Sequence, residues 1–270
     1  MRMKQWKKIL TPYEQAVSEL KLKFKAIRNQ LQDAGEYSPI EFVTGRVKTV
    51  SSILDKAKKY GLTEDQIEEK IEDIAGVRIM CQFVDDIYKV VDLIEKRNGK
   101  DFEIVCIKDY ITNPKESGYR SYHIIIRYPV QTAFGERKIL AEIQIRTMAM
   151  NVWATIEHSI HYKYDGDVPP VLKERLKKSA EVVYQLDQEM CRIKDEVIEA
   201  QKLIQEESHT VSNIVNDIQM LNRAGRPSQA SKFQAAFETI WENRKLNELK
   251  ELQEELRCAV NASGEICEEQ

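Results

Sequence analysis

The stretch Leu140-Ala141-Glu142-Ile143-Gln144-Ile145-Arg146-Thr147 constrains this chain more than any other. Glu142, Gln144 and Arg146 alternate with Ile143 and Ile145. A period of two puts the polar three on one face of a β-strand and the isoleucines on the other. The isoleucines need an apolar layer beneath them. A carboxylate, an amide and a guanidinium side by side make a poor solvent face and a good active-site floor. Upstream, Glu116-Ser117-Gly118-Tyr119-Arg120-Ser121-Tyr122-His123 feeds the apolar strand Ile124-Ile125-Ile126. The two segments together point to a phosphate-handling enzyme rather than a scaffold.

At 270 residues the chain is long enough for a substantial core, with one domain plus an appendage as the natural expectation. Its net charge of −3 exerts no global pull on nucleic acid. Residues 201–270 hold 8 Lys/Arg against 12 Asp/Glu, so the basic excess lies in the first 200 residues. An acidic substrate must therefore be met by a local cluster. Five cysteines without a C-x-x-C pair (Cys81, Cys106, Cys191, Cys258, Cys267) indicate reduced, intracellular usage. Cys81, within Ile79-Met80-Cys81-Gln82-Phe83-Val84, reads as a small core residue. The first ten residues carry no apolar signal core, and no stretch approaches the roughly 20 apolar residues needed to span a bilayer. A cytoplasmic protein without a membrane partner is expected.

Thr11-Pro12-Tyr13-Glu14 reads as a capping box opening a long helix, with Val17, Leu20, Phe24, Ile27 and Leu31 as its core-facing stripe and Gly35 ending it. A strand over 40–47, a helix over 50–59 and a third helix from Thr63 to about Asp73 follow. Strands are expected over 77–84, 102–107, 122–128 and 138–146, with a hairpin at Gly135, and helices over 85–97 and 151–164. The fold class is α/β (α+β): a mixed sheet of about five strands flanked by helices. After Pro169-Pro170, positions 172 to 204 keep a 4-3 apolar spacing, Leu186, Met190, Ile193, Val197 and Ile204 among them. This is a heptad seam, either a coiled coil or a helix lying along its own domain. Ala224-Gly225-Arg226-Pro227-Ser228 reads as a linker, Phe233, Phe237 and Ile240 pair with Leu249, Leu252 and Leu256, and the tail from Asn261 reads as disordered.

Neither G-x-x-x-x-G-K-[ST] nor G-x-G-x-x-G occurs, so phosphates must be held by side chains. Arg46 and Lys48 share one face, and Ser52, Lys56 and Lys59 recur at i, i+4 and i+7 on the next helix. That set suits a triphosphate; a solvated face explains the two helix lysines equally well. Asp73 and Glu142 would share a Mg²⁺ if their strands adjoin. Tyr119 and His123 share strand parity beside Gly118, and a tyrosine there stacks a base or simply half-buries on the sheet. Lys21, Lys25 and Arg28 form a basic stripe, read first as solvated and alternatively as an anion site. His158 and His161 lack the H-E-x-x-H spacing of a zinc site.

Four segments carry a family resemblance: 41–48 (EFVTGRVK), 73–79 (DIAGVRI), 118–123 (GYRSYH) and 142–147 (EIQIRT). In that order they resemble the motifs of RelA/SpoT-type alarmone synthetases, and the short chain is most similar to the RelQ-like small synthetases, over about residues 4–200. The family's metal-dependent hydrolase signature is missing, which implies synthesis only. The resemblance implies a nucleotidyltransferase-like synthetase domain over 1–207 and a helical extension over 208–270. It implies Mg²⁺-dependent transfer of pyrophosphate from ATP to the 3′-hydroxyl of GDP or GTP, giving AMP and ppGpp or pppGpp, the alarmones of the stringent response. By the family pattern Arg46 and Arg78 sandwich the adenine, and Lys48, Ser52, Lys56 and Lys59 hold the ATP phosphates. Asp73 and Glu142 bind the metal, and Glu142 doubles as general base. Tyr119 stacks the guanine, with His123, Lys115, Gln144, Asn151 and Glu157 around the acceptor. The resemblance further implies a homotetramer and a regulatory (p)ppGpp held by Lys21, Lys25, Arg28, Glu41, Phe42 and Thr44.

Two rivals stand beside this reading. One is a catalytically silent nucleotide- or RNA-binding oligomer, which needs the basic patches but not the full set of Asp73, Glu142 and Tyr119. RNA binding is not indicated by the overall charge. The other is a related nucleotidyltransferase acting on a different acceptor, such as a tRNA end.

Overall fold

The computed structural model describes residues 3–163, 168–243 and 246–264, with side chains from Trp6 to Asn261 within those spans except 161–163. The chain divides into two compact units, Met1–Arg192 and Ile193–Gln270. The first unit is built on one five-stranded sheet. Its elements are α1 (Met3–Asp33), β1 (Phe42–Val47), α2 (Val50–Tyr60), α3 (Ile67–Lys70), β2 (Ala75–Cys81), α4 (Val84–Glu95), β3 (Glu103–Asp109), β4 (Tyr122–Thr132), β5 (Gly135–Thr147) and α5 (Met148–Lys163). A long helix, α6 (Pro170–Arg223), contributes to both units, and α7 (Pro227–Glu242) and α8 (Leu246–Gly264) complete the second.

The sheet order is β1-β2-β5-β4-β3. Only the β2–β5 pair is parallel; the other three pairs are antiparallel. The register sets Gly76 opposite Glu142, Arg78 opposite Gln144, and Gln144 opposite His123, while Arg46 faces Gly76 and Thr44 faces Arg78. Because partners directly opposite in a ladder share a face, the polar residues of β1, β2, β5 and β4 converge on one side. The other face carries Val43, Val77, Ile79, Ile124, Ile143 and Ile145, all buried in one core with α1 and α4. The expected stripe on α1 is in place: Val17, Leu20, Phe24 and Ile27 are buried. Each such side chain contributes about 1.5–3 kcal/mol of burial, which anchors the sheet's apolar face and leaves its polar face for chemistry. Gly45 lets α1 approach β1 closely. A Cβ there would lie 2.8 Å from Val17 Cγ1.

Three local expectations are corrected. The helix α1 begins at Met3 rather than at the Thr11 capping box; Pro12 lies inside it, and the Thr11 hydroxyl donates to the Lys7 carbonyl at 2.8 Å. Pro12 forfeits one backbone hydrogen bond, but continuing the helix buries Trp6 in the core that also holds Tyr13. The third helix does not reach Asp73. A 3-10 turn (Glu64–Gln66) leads into the four-residue α3, and the chain extends at Ile71 (φ −91°, ψ 100°). Ile71 and Ile74 are both fully buried, so core packing ends the helix and leaves Asp73 in a turn at the mouth of β2. Lastly, α8 continues through Asn261 to Gly264, its last turns supported by Ala259 and Val260 packing on the second unit's core.

That second core gathers Ile214, Ile218 and Leu221 of α6 with Leu249, Leu252 and Leu256 of α8, and Phe233, Phe237 and Ile240 of α7 pack against it. The expected linker at 224–228 shortens to a turn at Ala224 and Gly225 (φ 76°), because Pro227 already opens α7 with Arg226 as its N-cap. Tyr164, Cys267, the His161 side chain and the tail beyond residue 264 fall outside the described residues. No described helix is long and apolar enough to cross a membrane.

Candidate active site

Glu142 lies at the centre of the polar face and is 9% exposed. Its Oε1 meets His123 Nδ1 at 2.9 Å, and its Oε2 accepts from Gln144 Nε2 at 2.7 Å. The Gln144 amide oxygen accepts in turn from Arg146 Nη2 at 2.6 Å and Arg78 Nε at 3.2 Å. Arg146 Nη2 also donates to the Tyr119 hydroxyl at 2.7 Å, and that hydroxyl lies 2.8 Å from His123 Nε2. Burial pushes the Glu142 carboxyl up, but the His123 and Gln144 contacts reverse this and hold it below its usual range. It is therefore an ionised acceptor at neutral pH.

Asp73 stands across the cleft floor. Its Oδ2 pairs with Lys48 Nζ at 2.7 Å and its Oδ1 with Lys56 Nζ at 2.9 Å. Burial raises its carboxyl and the two ammonium groups more than offset this, leaving it below the usual carboxylate range. Asp73 and Glu142 line one cleft of about 110 Å³ with Thr44, Gly45, Arg46, Gly76, Arg78 and Gln144. Among the described residues, no three His, Cys, Asp or Glu side chains come together as a self-sufficient metal cage. The pair nevertheless fits a hard divalent ion. Both donors are carboxylates facing one cleft, and an ion such as Mg²⁺ takes one or two carboxylates and fills its shell with water and substrate phosphates. All four carboxylate oxygens are now engaged, so ion binding requires Lys48 and Lys56 to find other acceptors.

Gly118, at φ 84°, shapes the loop that carries Tyr119. A Cβ at this position would fall 2.7 Å from Ala180 Cβ on α6, so only glycine allows both the backbone turn and the close packing. Tyr119 meets His123 and Tyr110 edge-on, and Lys115 Nζ lies 4.8 Å from its ring centroid. Arg120 is stacked 3.9 Å over Tyr184 and paired to Glu181 at 3.0 Å, which ties the loop to α6.

A second tie is Asp187, 4% exposed on α6, whose Oδ2 accepts from Thr147 Oγ1 at 2.7 Å. Thr147 also accepts from Met150 N, which caps α5. Burial lifts the Asp187 carboxyl to about 6, the Thr147 hydroxyl opposing it. A carboxyl raised on folding costs stability that accrues as pH climbs from its unfolded value to its folded one and stays constant above that, and the cost vanishes when both states are protonated. Asp187→Asn is therefore expected to gain stability over wild type as pH rises from 4 through about 6. Urea melts of both proteins at pH 4, 5, 6 and 7 measure it; a difference that stays flat across that range refutes the assignment.

The structure thus brings together Arg46, Lys48, Lys56, Asp73, Arg78, Tyr119, His123, Glu142 and Gln144, with Lys115 alongside. Other expected residues lie elsewhere or apart. Ser52 is tied to the Thr49 cap of α2, and Lys59 is exposed on that helix's last turn. Glu157 lines a separate cavity of about 390 Å³ with Glu116, Ser117, Lys173 and Lys177. The Asn151 Oδ1 is buried without a partner. Of the expected regulatory set, Arg28 Nη1 donates to the Glu41 carbonyl at 2.9 Å, the Lys21 stem packs over Gly45, Lys25 and Phe42 are exposed, and Thr44 lines the cleft itself. Two contributors had no specific binding or catalytic role assigned from the sequence. Arg146 was legible from its parity with Glu142 and Gln144; Tyr110, in a loop, carried no pattern.

Residues 45–167 match the family described as "Region found in RelA / SpoT proteins". The chain is 55% identical over 198 residues to GTP pyrophosphokinase YjbM of Bacillus subtilis (strain 168), covering 73% of this chain and 92% of that protein. Its structure resembles small alarmone synthetase 1 of Bacillus subtilis bound to its product pppGpp, with a TM-score of 0.69 and 54% identity over 72% of this chain and 98% of the other. The same synthetase bound to AMPCPP gives a TM-score of 0.64 and 52% identity over 73% and 99% of the two chains. With its four motifs gathered around Glu142 and more than half of its aligned residues shared with a pyrophosphokinase, the chain belongs to the RelA/SpoT family.

Proposed function

We propose that this protein is a GTP pyrophosphokinase, transferring pyrophosphate from ATP to the 3′-hydroxyl of GDP or GTP to give AMP and ppGpp or pppGpp. The observation that carries the reading is Glu142, ionised and held by both oxygens beside a second carboxylate and a cluster of cations. In the reaction the acceptor 3′-oxygen bonds to the β-phosphorus of ATP, the bond from that phosphorus to the α-phosphate oxygen breaks, and AMP departs. The hydroxyl proton passes to Glu142, freed from one of its two present contacts. Arg46 and Arg78 supply flat guanidinium surfaces for adenine, Lys48, Lys56 and Lys59 neutralise the phosphates, and the Ser52 hydroxyl donates a hydrogen bond to them. Charge grows on phosphate oxygens in the transition state, so positioning and cations supply most of the catalysis. Asp73 and Glu142 would hold Mg²⁺, which when bound neutralises phosphate charge and acidifies the attacking hydroxyl.

On the acceptor side Tyr119 stacks guanine, with His123, Lys115 and Gln144 beside it and Asn151 and Glu157 at the periphery. Incubating the protein with Mg²⁺, GDP or GTP and ATP labelled in its β-phosphate tests the reading directly. Label appearing on the guanosine nucleotide with matching AMP release supports it. Binding without turnover points to a silent nucleotide binder, and inertness toward guanine nucleotides to another acceptor. Tyr119→Ala is expected to raise the KM for the guanine nucleotide about 10-fold, since base stacking is worth roughly 1–3 kcal/mol. An effect confined to the KM for ATP contradicts the stacking role.

The synthetase module is taken as residues 1–207, with 208–270 as an appended helical extension in a cytoplasmic protein. Self-association into a homotetramer belongs to the same reading. Its support is the exposed heptad stripe Leu186, Met190, Ile193, Val197 and Ile204 on α6, which a monomer leaves wet. A regulatory (p)ppGpp on Lys21, Lys25, Arg28, Glu41, Phe42 and Thr44 is proposed on the strength of the basic face of α1.

A further inference from the structure

We propose that Arg146 is the positioning residue of this site: one buried guanidinium orients two hydrogen-bond arms that end on the two oxygens of Glu142 and hold His123 as its Nδ1–H tautomer. The inference rests on the synthetase reading for its kinetic consequences. Its structural content stands on donor–acceptor chemistry.

Arg146 is 4% exposed. A guanidinium only donates. The Tyr119 oxygen, 2.7 Å from Arg146 Nη2, must therefore be the acceptor of that bond. The phenolic proton then remains available to His123 Nε2, which lies 2.8 Å away. An Nε2 that accepts carries no proton, so the ring proton of neutral His123 sits on Nδ1 and points at Glu142 Oε1, 2.9 Å away. The other arm follows the same logic. The Gln144 carbonyl oxygen is claimed by Arg146 at 2.6 Å and Arg78 at 3.2 Å. Its amide must accordingly present NH₂ to Glu142 Oε2, as the 2.7 Å contact requires. Arg146 Nε is anchored on Ser121 Oγ at 3.3 Å, and its guanidinium lies 5.2 Å from the centroid of the Tyr119 ring. One side chain thus fixes the tilt of the Tyr119 ring and the direction of every hydrogen bond reaching Glu142.

The experiment combines ¹⁵N NMR of the histidine rings with steady-state kinetics on the full-length protein. In wild type, His123 is expected as the neutral Nδ1–H form with a bare Nε2. Arg146→Gln is expected to mix in the Nε2–H form and to lower kcat about 100-fold, the loss a misplaced catalytic group typically brings. The KM for ATP should move less than the KM for the acceptor. Arg146→Lys, which keeps a cationic donor, should recover part of both readouts. A residue that merely fills space would alter melting and leave the tautomer unchanged. If Arg146→Gln does not fold, Tyr119→Phe carries the test by deleting only the hydroxyl between the two groups, and the same tautomer shift is expected. A wild-type His123 protonated on Nε2 overturns the proposal, as does a folded Arg146→Gln or Tyr119→Phe with the wild-type tautomer. If wild type transfers no pyrophosphate, the synthetase reading fails while the tautomer measurement still judges the hydrogen-bond ring.

Discussion

Glu142→Gln is expected to cut turnover by about 10²–10⁴-fold, the range that a positioned general base contributes. The substitution changes almost nothing in shape. His123 Nδ1–H still finds an oxygen, but the second acceptor, now an NH₂, faces the NH₂ of Gln144, a pair of donors where the native side chain accepts at 2.7 Å. One mismatched hydrogen bond on a residue 9% exposed costs about 1–3 kcal/mol, so circular dichroism and the melting profile should show a folded protein. The proton of the attacking hydroxyl, by contrast, loses the anionic acceptor that Glu142 provides. Labelled-ATP transfer measured on the folded variant decides the point. Turnover near the wild-type rate would remove Glu142 from the chemistry and the base from the mechanism.

The second large effect belongs to Asp73→Asn, expected to lower kcat/KM for ATP by about 10³-fold, since a catalytic divalent ion supplies several kcal/mol and 1.36 kcal/mol is tenfold in rate. Asparagine keeps one acceptor for Lys48 or Lys56 and turns an NH₂ toward the other, so the lysines lose the anion that arrays them. Isothermal titration with Mn²⁺ in the presence of a non-hydrolysable ATP analogue should report weakened metal uptake. Unchanged uptake together with unchanged kcat/KM would exclude Asp73 as a ligand. Stability should change little at neutral pH, because both pairs are partly solvated, with side-chain exposures of 18–30%. The sign with pH follows from the depressed carboxyl. Its contribution is present above the unfolded carboxylate value and lost as pH falls through the lower folded one, so wild type and variant should converge in acid.

Periodicity carried most of what was legible. The alternation in 140–147 specified which face Glu142, Gln144 and Arg146 share, because a strand has only two faces and the isoleucines claim one. The stripe on α1 was equally plain, as large apolar groups spaced by three and four residues fall along a single side of a helix. Boundaries were less secure where burial competes with local signals. Thr11-Pro12 has every local mark of a helix start, yet Trp6 buries only if the helix runs through it. Thr63 begins a helical turn as expected, yet Ile71 and Ile74 pull the chain into the core before a helix can reach Asp73. At the site, Ser52 and Lys59 follow the helical spacing of Lys56, but only Lys56 contacts Asp73. Helical phase alone does not tell how far along its axis a helix reaches the cleft.

By itself, then, the order of residues determined the chemistry on offer: which side chains alternate, which glycines permit sharp turns, and which motifs accompany them. Tertiary structure alone decided that Asp73 and Glu142, sixty-nine positions apart, line one cleft. It also decided that Arg146 reaches Tyr119 and Gln144 together. The physical reason is the parallel pairing of β2 with β5, whose register sets Gly76 opposite Glu142. That register is selected by burial of the isoleucines on the opposite face, an energy summed over the whole sheet and written in no single segment.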